Sequence, residues 1–194
     1  MADYMSALNE VLKPGLYGQV EKGQPFVSIS EKTGLHLTQI SFFASQKSSM
    51  HKFLDESYGC GLPQAGVVSQ GKIGRRHIFA ARLEPSKIML ISPEAITDIP
   101  DAFYPLDISD ARTLIDISGT AATKTLSRLC ALDFSDGSFP VGAFATTGMH
   151  HIGVSIWRNK DGYRLFVPRS YAASLYHLIL QIAEQFGCEV LGTD

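Results

Sequence analysis

The chain has 194 residues, of which 45% are hydrophobic and 19% are charged. This length suits one sizeable domain, and the composition excludes a disordered or fibrous protein. Seventeen lysine and arginine residues stand against 19 aspartate and glutamate residues, which gives a net charge of −2. The chain therefore lacks the basic excess that is typical of nucleic-acid-binding proteins.

The three cysteines, Cys60, Cys130 and Cys188, are widely spaced and odd in number. They form no Cys-x-x-Cys motif, so we predict neither a disulfide framework nor a zinc site. The N-terminal residues lack the basic and apolar pattern of a signal peptide. Residues 138–157 carry no charged side chain, but their proline, glycines and histidines make them too polar and too broken for a transmembrane helix. We expect a cytoplasmic protein that does not span a membrane.

Glycine and proline residues are frequent near the N-terminus, which predicts an N-terminal arm at 1–25 with a short helix at 2–12. A single duplicated α+β domain is predicted at 26–194. Its first half predicts a strand at 35–43, a helix at 47–58, a glycine-rich loop at 61–71, and strands at 77–83 and 87–92. A connector containing three prolines follows at 93–109.

The second half of the domain repeats this order. It predicts a strand at 112–118, a helix at 119–130, one or two strands within 143–157, a hairpin turn at 159–162, a strand at 163–167 and a helix at 170–186. Ser118 is a plausible N-cap for the first of these helices, and Gly187 ends the second.

An offset of 75 residues relates the two halves. It brings Ile40 onto Ile115, Leu54 onto Leu129, Leu90 onto Leu165 and Pro93 onto Pro168. We therefore predict an α+β fold with two internally duplicated βαββ units. The alternative is a chance similarity between two ordinary α+β segments.

No group of residues has the spacing of a catalytic or metal site. The Gly-x-Ser-x-Gly nucleophile motif, the phosphate-binding loop and the dinucleotide-binding motif are all absent. His150 and His151 would point to opposite faces of a strand, which disfavours a metal ion bound by both. The aspartates at 107–110 and 133–136 are typical of turns. We predict no catalytic, cofactor-binding or metal-binding residue in this chain.

Five residues are candidates for a protein interface, because aromatic residues and arginine are enriched in interfaces. They are Phe139, Pro140, Trp157, Arg169 and Tyr171. Arg169 also stands at the start of the last predicted helix, where it could help to bind an anion or could pair with a neighbouring acid. A position in the core is the alternative for the apolar members of this set.

Four segments of the second half resemble the gamma subunit of heterotetrameric sarcosine oxidase. They are 107–122 (DISDARTLIDISGTAA), 129–133 (LCALD), 139–147 (FPVGAFATT) and 165–175 (LFVPRSYAASL). The string VPRSYAASL is the most specific of them. The likeness is weaker over residues 26–93, where EPSKIM at 84–89 stands in place of the pattern Gly-Pro-Asp-x-Trp-Leu.

The resemblance implies a fold similar to the folate-binding domain of the glycine-cleavage T-protein. It also implies a non-catalytic subunit that assembles with alpha, beta and delta subunits. The assembled enzyme of that family oxidatively demethylates sarcosine to glycine. It produces hydrogen peroxide and, with tetrahydrofolate, 5,10-methylenetetrahydrofolate. FAD, FMN, NAD and tetrahydrofolate are then expected on the other subunits, with no cofactor in this chain.

Three alternatives remain open at this point. The departure at 84–89 is compatible with a gamma-like subunit of a related complex, such as N-methylglutamate dehydrogenase. The fold is also compatible with a stand-alone folate-binding protein of the T-protein superfamily, although a full aminomethyltransferase needs nearly twice this length. An unrelated small enzyme or binding module is the third alternative.

Overall fold

The structure is a computed structural model that describes residues 5–20 and 25–193. Its strands and helices follow one another along the chain in a mixed order. They are β1 (Gly15–Tyr17), β2 (Val27–Lys32), β3 (His36–Ser41), α1 (Lys47–Tyr58), β4 (Ser69–Ile73), β5 (Arg76–Glu84), β6 (Lys87–Ser92), β7 (Tyr104–Asp107), β8 (Arg112–Ser118), α2 (Ala122–Ser127), β9 (Phe144–Met149), β10 (Ile152–Asn159), β11 (Gly162–Pro168), α3 (Ala172–Ala183) and β12 (Cys188–Thr193). Among the described residues, no helix has the length and apolarity needed to cross a membrane.

The chain divides into two compact units. The terminal unit contains the described residues among 1–33, 111–141 and 146–194, and the central unit contains 34–110 and 142–145. The terminal unit is built on a seven-stranded sheet of order β1-β12-β2-β8-β11-β10-β9. The central unit is built on a five-stranded sheet of order β4-β5-β6-β3-β7.

The two sheets share one topology. In the central unit the chain order is β3, α1, β4, β5, β6, and the four strands lie in the sheet in the order β4-β5-β6-β3. In the terminal unit β8, α2, β9, β10 and β11 form the equivalent order β9-β10-β11-β8. The α+β class and the internal duplication are therefore confirmed. Each repeat has one strand more than the predicted βαββ order.

The repeats also exchange their first strands. The offset of 75 residues relates β2 to β7, since Lys32 ends the first and Asp107 ends the second. β2 pairs antiparallel with β8 of the second repeat, whereas β7 pairs antiparallel with β3 of the first repeat. Each sheet thus contains one strand that belongs to the other repeat. The sequence patterns do not predict this exchange.

Both sheets carry buried residues on their two faces. Neighbouring Leu114 and Ile115 of β8 point to opposite faces, and both are buried. In the central unit, Ile88 and Met89 of β6 behave in the same way. Strands buried on both faces read as continuous apolar runs, and this is why β6 and β8 were predicted at their correct bounds.

The helices follow the predicted apolar stripes. α1 ends where predicted, because Gly59 adopts a left-handed conformation (φ 67°) and its N–H donates to the carbonyl of Asp55. α3 buries Ala172, Leu175, Tyr176 and Ile179, and short 3₁₀ turns extend it at both ends. α2 spans only six residues, and its N-cap is Ala121 rather than the predicted Ser118.

The predicted arm at 1–25 is described only in part, because residues 1–4 and 21–24 lie outside the described residues. Turns occupy residues 7–11, where part of the short helix was predicted, and β1 pairs with β12. Leu8 is fully buried, and the hydroxyl of Ser6 donates to Oε2 of the buried Glu31 at 2.5 Å. The described part of this segment therefore packs onto the terminal unit.

His150 and His151 form the turn between β9 and β10, not part of a strand. Both have positive φ, 46° and 68°, and their rings lie 5.6 Å apart. The prediction that they lie on opposite faces of a strand is therefore wrong. A two-residue hairpin turn with both central residues at positive φ ordinarily favours Asn-Gly, so histidine is an uncommon choice here.

Candidate functional site

The loop at 133–141 holds two of the predicted interface residues. Arg158 of β10 fixes this loop, because its guanidinium donates to the carbonyl of Phe139 and to Oδ1 of Asp136, both at 2.6 Å. The same guanidinium lies over the ring of Tyr163, 5.6 Å from its centroid. Three interactions of one arginine thus give the loop a defined shape.

An aromatic cluster anchors the inner side of this loop. The ring of Phe134 contacts Phe139 and Tyr163 edge to face, with centroid distances of 5.6 and 5.4 Å. Phe139 is consequently buried, whereas Pro140 and Val141 lie exposed beside it. Of the predicted pair, Pro140 is on the surface and Phe139 is in the interior.

Trp157 is also an interior residue. Only 7% of its surface is exposed, and the guanidinium of Arg164 lies 5.8 Å from its ring centroid. A partner protein cannot reach Phe139 or Trp157 without a rearrangement of the chain. For both positions the sequence left a core position open as the alternative to an interface, and the structure places both side chains in the core.

Arg169 and Tyr171 precede α3, within one 3₁₀ turn. Arg169 is half-buried, and its guanidinium donates to the carbonyl of Met5. This bond ties the N-terminal segment to the start of α3. Tyr171 is 53% exposed, and Met5 is exposed as well, so this end of the terminal unit has apolar surface.

The central unit exposes apolar residues that the sequence reading missed. Phe43, Tyr104 and Leu106 are all more than half exposed, and the rings of Phe43 and Tyr104 meet edge to face at 5.8 Å. Tyr104 and Leu106 lie on β7, an edge strand within the segment that was predicted as a connector. Exposed apolar clusters of this kind are typical of surfaces that contact other proteins.

The cysteines have the properties of structural residues. Burial raises the pKa of the Cys188 thiol to about 12. Burial, with a smaller contribution from the charge of Asp55, raises the pKa of Cys60, and burial raises the pKa of Cys130. Because the thiolate is the nucleophilic form, these protonated thiols are poor nucleophiles at neutral pH. The structure records all three as free cysteines.

The aspartates singled out in the sequence have structural partners. Asp107 accepts hydrogen bonds from the hydroxyl and the N–H of Ser109, and these bonds lower the pKa of its carboxyl. Asp133 accepts from the N–H of Ser135, and Asp136 pairs with Arg158. Within 5–20 and 25–193, no group of three or more histidine, cysteine or acidic residues is placed to hold a metal ion.

The junction of β8 and α2 packs against the segment that precedes β2. The N–H of Ala121 donates to the carbonyl of Phe26 at 2.9 Å. A Cβ atom on Gly119 would lie 2.4 Å from the same carbonyl oxygen. Gly119 therefore permits close packing of this junction against the backbone at Phe26.

Sequence comparison finds three relatives that are each named sarcosine oxidase subunit gamma. The chain is 29% identical over 164 residues to the sarcosine oxidase subunit gamma of Corynebacterium sp. strain P-1, with 78% of each sequence covered. It is 26% identical over 159 residues to the subunit of the same name from Corynebacterium sp. strain U-96, covering 77% of this chain and 76% of the relative. The gamma subunit of an Arthrobacter species is 28% identical over 145 residues. No family model matches the chain.

The chain is similar to the sarcosine oxidase gamma subunits. Its fold agrees, since it superposes with a TM-score of 0.75 on a chain of the heterotetrameric sarcosine oxidase from Corynebacterium sp. U-96 in complex with pyrrole 2-carboxylate. This match covers 94% of the chain and 96% of its neighbour at 20% identity. The two chains thus share one fold over nearly all of their lengths.

The expected relation to the glycine-cleavage T-protein is also confirmed at the level of fold. The chain superposes with a TM-score of 0.59 on the glycine cleavage system aminomethyltransferase T from Bartonella henselae, at 15% identity. The match covers 86% of this chain but only 48% of that protein. The fold of this chain therefore matches about half of that aminomethyltransferase.

Proposed function

We propose that the chain is the non-catalytic gamma subunit of a heterotetrameric sarcosine oxidase. The observation that carries this proposal is its similarity to several gamma subunits over more than two thirds of both sequences. The same similarity favours this assignment over a subunit of N-methylglutamate dehydrogenase. A nearly complete superposition on a chain of a heterotetrameric enzyme supports it further.

In this proposal, the assembled complex oxidises sarcosine to glycine and releases hydrogen peroxide. With tetrahydrofolate it forms 5,10-methylenetetrahydrofolate. The alpha, beta and delta subunits are the partners. The alpha and beta subunits hold FAD, FMN and NAD, and the alpha subunit holds tetrahydrofolate. The raised pKa values of the Cys188 and Cys60 thiols, which make both thiols poor nucleophiles, agree with a non-catalytic role for this chain. A cytoplasmic location belongs to the same proposal and agrees with the three free cysteines.

We further propose that Pro140, Tyr171 and the exposed face of the Arg169 turn contact a partner subunit. Pro140 projects from a loop that Arg158 fixes, and Tyr171 is more than half exposed beside α3. Surface aromatic residues on well-ordered segments lose little conformational entropy on binding, which suits them to interfaces. Phe139 and Trp157 are left out of this contact because they are buried.

Co-purification from a host that expresses all four subunits tests the interface. Tyr171→Ala is expected to reduce recovery of the larger subunits with the tagged chain, and Pro140→Ala is expected to reduce it to a smaller degree. Lys160→Ala, an exposed change in the turn before β11, is the control. Equal recovery with Tyr171→Ala and with the control would contradict the proposed contact. Phe139→Ala and Trp157→Ala are unsuitable tests, since both would open cavities in the interior.

A further inference from the structure

A groove of about 580 Å³ lies in the central unit, between the start of α1, the loop at 61–65 and β5. It does not include any of the interface residues discussed above. Its basic lining comes from Lys47 and Arg82, and His51 adds an imidazole. Its apolar lining comes from Leu62 and Pro63. An apolar wall with a few convergent polar groups is the usual composition of a small-molecule site.

The charges of this groove are unbalanced. No aspartate or glutamate lines it, although the chain as a whole has more acidic than basic residues. Across the described residues, the ion pairs of the structure involve other cations, and neither Lys47 nor Arg82 pairs with a carboxylate. Two cations that converge on one groove without a counter-ion create a local positive potential.

Arg82 is held in place by backbone carbonyls. Its Nε donates to the carbonyl of Pro63 at 2.9 Å, and its Nη1 donates to the carbonyl of Pro85 at 3.4 Å. These bonds use Nε and Nη1, and among the described residues no hydrogen bond engages Nη2, which is left for a further acceptor. A guanidinium that is already oriented loses less entropy when it binds a carboxylate or phosphate.

His51 is oriented by the same loop. Its Nδ1 accepts a hydrogen bond from the N–H of Leu62 at 3.1 Å, so the proton of the neutral ring must be on Nε2. The ring packs tightly against Gly61, where a Cβ atom would lie only 2.5 Å from Cε1 of His51. The imidazole is therefore fixed as a donor through Nε2, which adds a neutral donor to the two cations.

We propose that this groove binds a small organic anion through its carboxylate or phosphate group. Arg82, His51 and Lys47 bind the anionic group, and Leu62 and Pro63 contact the apolar body of the molecule. This inference stands on the central unit alone and does not depend on the proposed role in an oxidase. A carboxylate side chain of another protein could bind the same groups. The test therefore has to distinguish a small organic anion from an acidic residue of a partner protein.

Titrations of the isotope-labelled full chain followed by NMR test the proposal, with inorganic phosphate, acetate and benzoate as probes. Saturable shifts are expected at the amides of residues 47–51 and 61–65. Benzoate is expected to bind more tightly than acetate, because only benzoate has an apolar body for the groove wall. Lys47→Gln is expected to weaken binding about five-fold, as the loss of one partly exposed charge implies. Lys52→Gln, an exposed change on the same helix, is the control and should leave the affinity unchanged.

Arg82→Lys provides a second variant, which keeps the charge but removes the Nη2 donor and the two bonds that orient the guanidinium. It is expected to weaken phosphate and benzoate binding alike. Absence of saturable shifts with all three probes would overturn the proposal. So would equal effects of Lys47→Gln and Lys52→Gln. Loss of a co-purifying partner in Lys47→Gln, without probe binding by the free chain, would assign the groove to a partner's acidic side chain and would also overturn it.

Discussion

Arg164 and Asp116 form a two-pronged ion pair between β11 and β8, with an Nε–Oδ1 distance of 2.7 Å and an Nη2–Oδ2 distance of 2.6 Å. The two residues are direct neighbours in the register of the antiparallel strands. Their side chains are only 13% and 27% exposed. The pair therefore links two central strands of the seven-stranded sheet in a largely desolvated position.

Asp116→Asn is expected to lower the free energy of unfolding by about 2 kcal/mol, because it leaves the partly buried guanidinium of Arg164 without its charged acceptor. Urea-induced unfolding measures this effect. Glu56→Gln removes the exposed pair between Lys52 and Glu56, whose atoms lie 3.7 Å apart, and should cost about 0.5 kcal/mol or less. Similar losses of unfolding free energy in both variants would show that the Arg164–Asp116 pair stabilises the fold no more than an exposed pair does.

Gly119→Ala is expected to destabilise the chain by more than about 2 kcal/mol. The residue has a φ of 101°, and its new Cβ atom would lie 2.4 Å from the carbonyl oxygen of Phe26. Gly137→Ala is the matched control, since no atom lies within 4 Å of the added Cβ and its φ is not in the left-handed region. Thermal unfolding of the two variants compares them, and a wild-type midpoint for Gly119→Ala would refute this account of the β8–α2 junction.

The double change of His150→Asn and His151→Gly is expected to stabilise the chain by about 1 kcal/mol. Asn-Gly adopts positive φ at both positions of a two-residue turn with less strain than two histidines. For a chain of this length the unfolding midpoint should rise by about 2–4 °C. A lower midpoint would mean that the imidazoles make a stabilising interaction that outweighs the strain.

Asp107 is expected to make stability depend on pH in the acidic range. Hydrogen bonds from Ser109 lower its pKa in the folded state below the ordinary value. The ionised carboxylate therefore stabilises the fold above the unfolded-state pKa, and this contribution is lost as the pH falls through the lower folded-state pKa. In urea unfolding, wild type should exceed Asp107→Asn in stability at pH 7.

The difference between wild type and Asp107→Asn should shrink as the pH is lowered below about 4. Ser109→Ala removes the hydroxyl that donates to the carboxylate, so it should reduce the same pH dependence. A difference that stays constant across this range would show that the carboxylate does not titrate with a lowered pKa in the folded chain.

Several elements could be predicted because their sequence pattern is determined locally. β6 and β8 are continuous apolar runs, α1 ends at a glycine, and α3 has an apolar stripe. The duplication could also be predicted, since equivalent residues recur 75 positions apart. These features depend on the period of hydrophobic residues and on turn chemistry, both of which can be read from one sequence.

Other elements depend on partners that are distant in the chain. β4 was missed because it is short and polar, and its Gly71 serves close packing, with a Cβ position 2.4 Å from the carbonyl oxygen of Tyr58. β7 was missed because it contains Pro105 and is wholly exposed. Its pairing with β3, like that of β2 with β8, results from the exchange of strands between the repeats. No local pattern marks such an exchange.

The candidate surface could be predicted only in part. Pro140 and Tyr171 are exposed as an interface requires, whereas Phe139 and Trp157 are buried by an aromatic cluster and by Arg164. Residue type alone does not separate an aromatic anchor of an interface from an aromatic residue of a core. The groove around Arg82 could not be predicted from the sequence either. Its lining residues come from three separate elements, which are α1, the loop at 61–65 and β5.

Size-exclusion chromatography of the affinity-tagged chain, expressed in its native host and monitored for protein and flavin absorbance, tests the central claim most directly. The account predicts a large yellow complex that oxidises sarcosine with release of hydrogen peroxide, and mass spectrometry should identify three further subunits in it. A colourless protein that elutes at the size of the isolated chain, with no flavin subunit bound, would contradict the account.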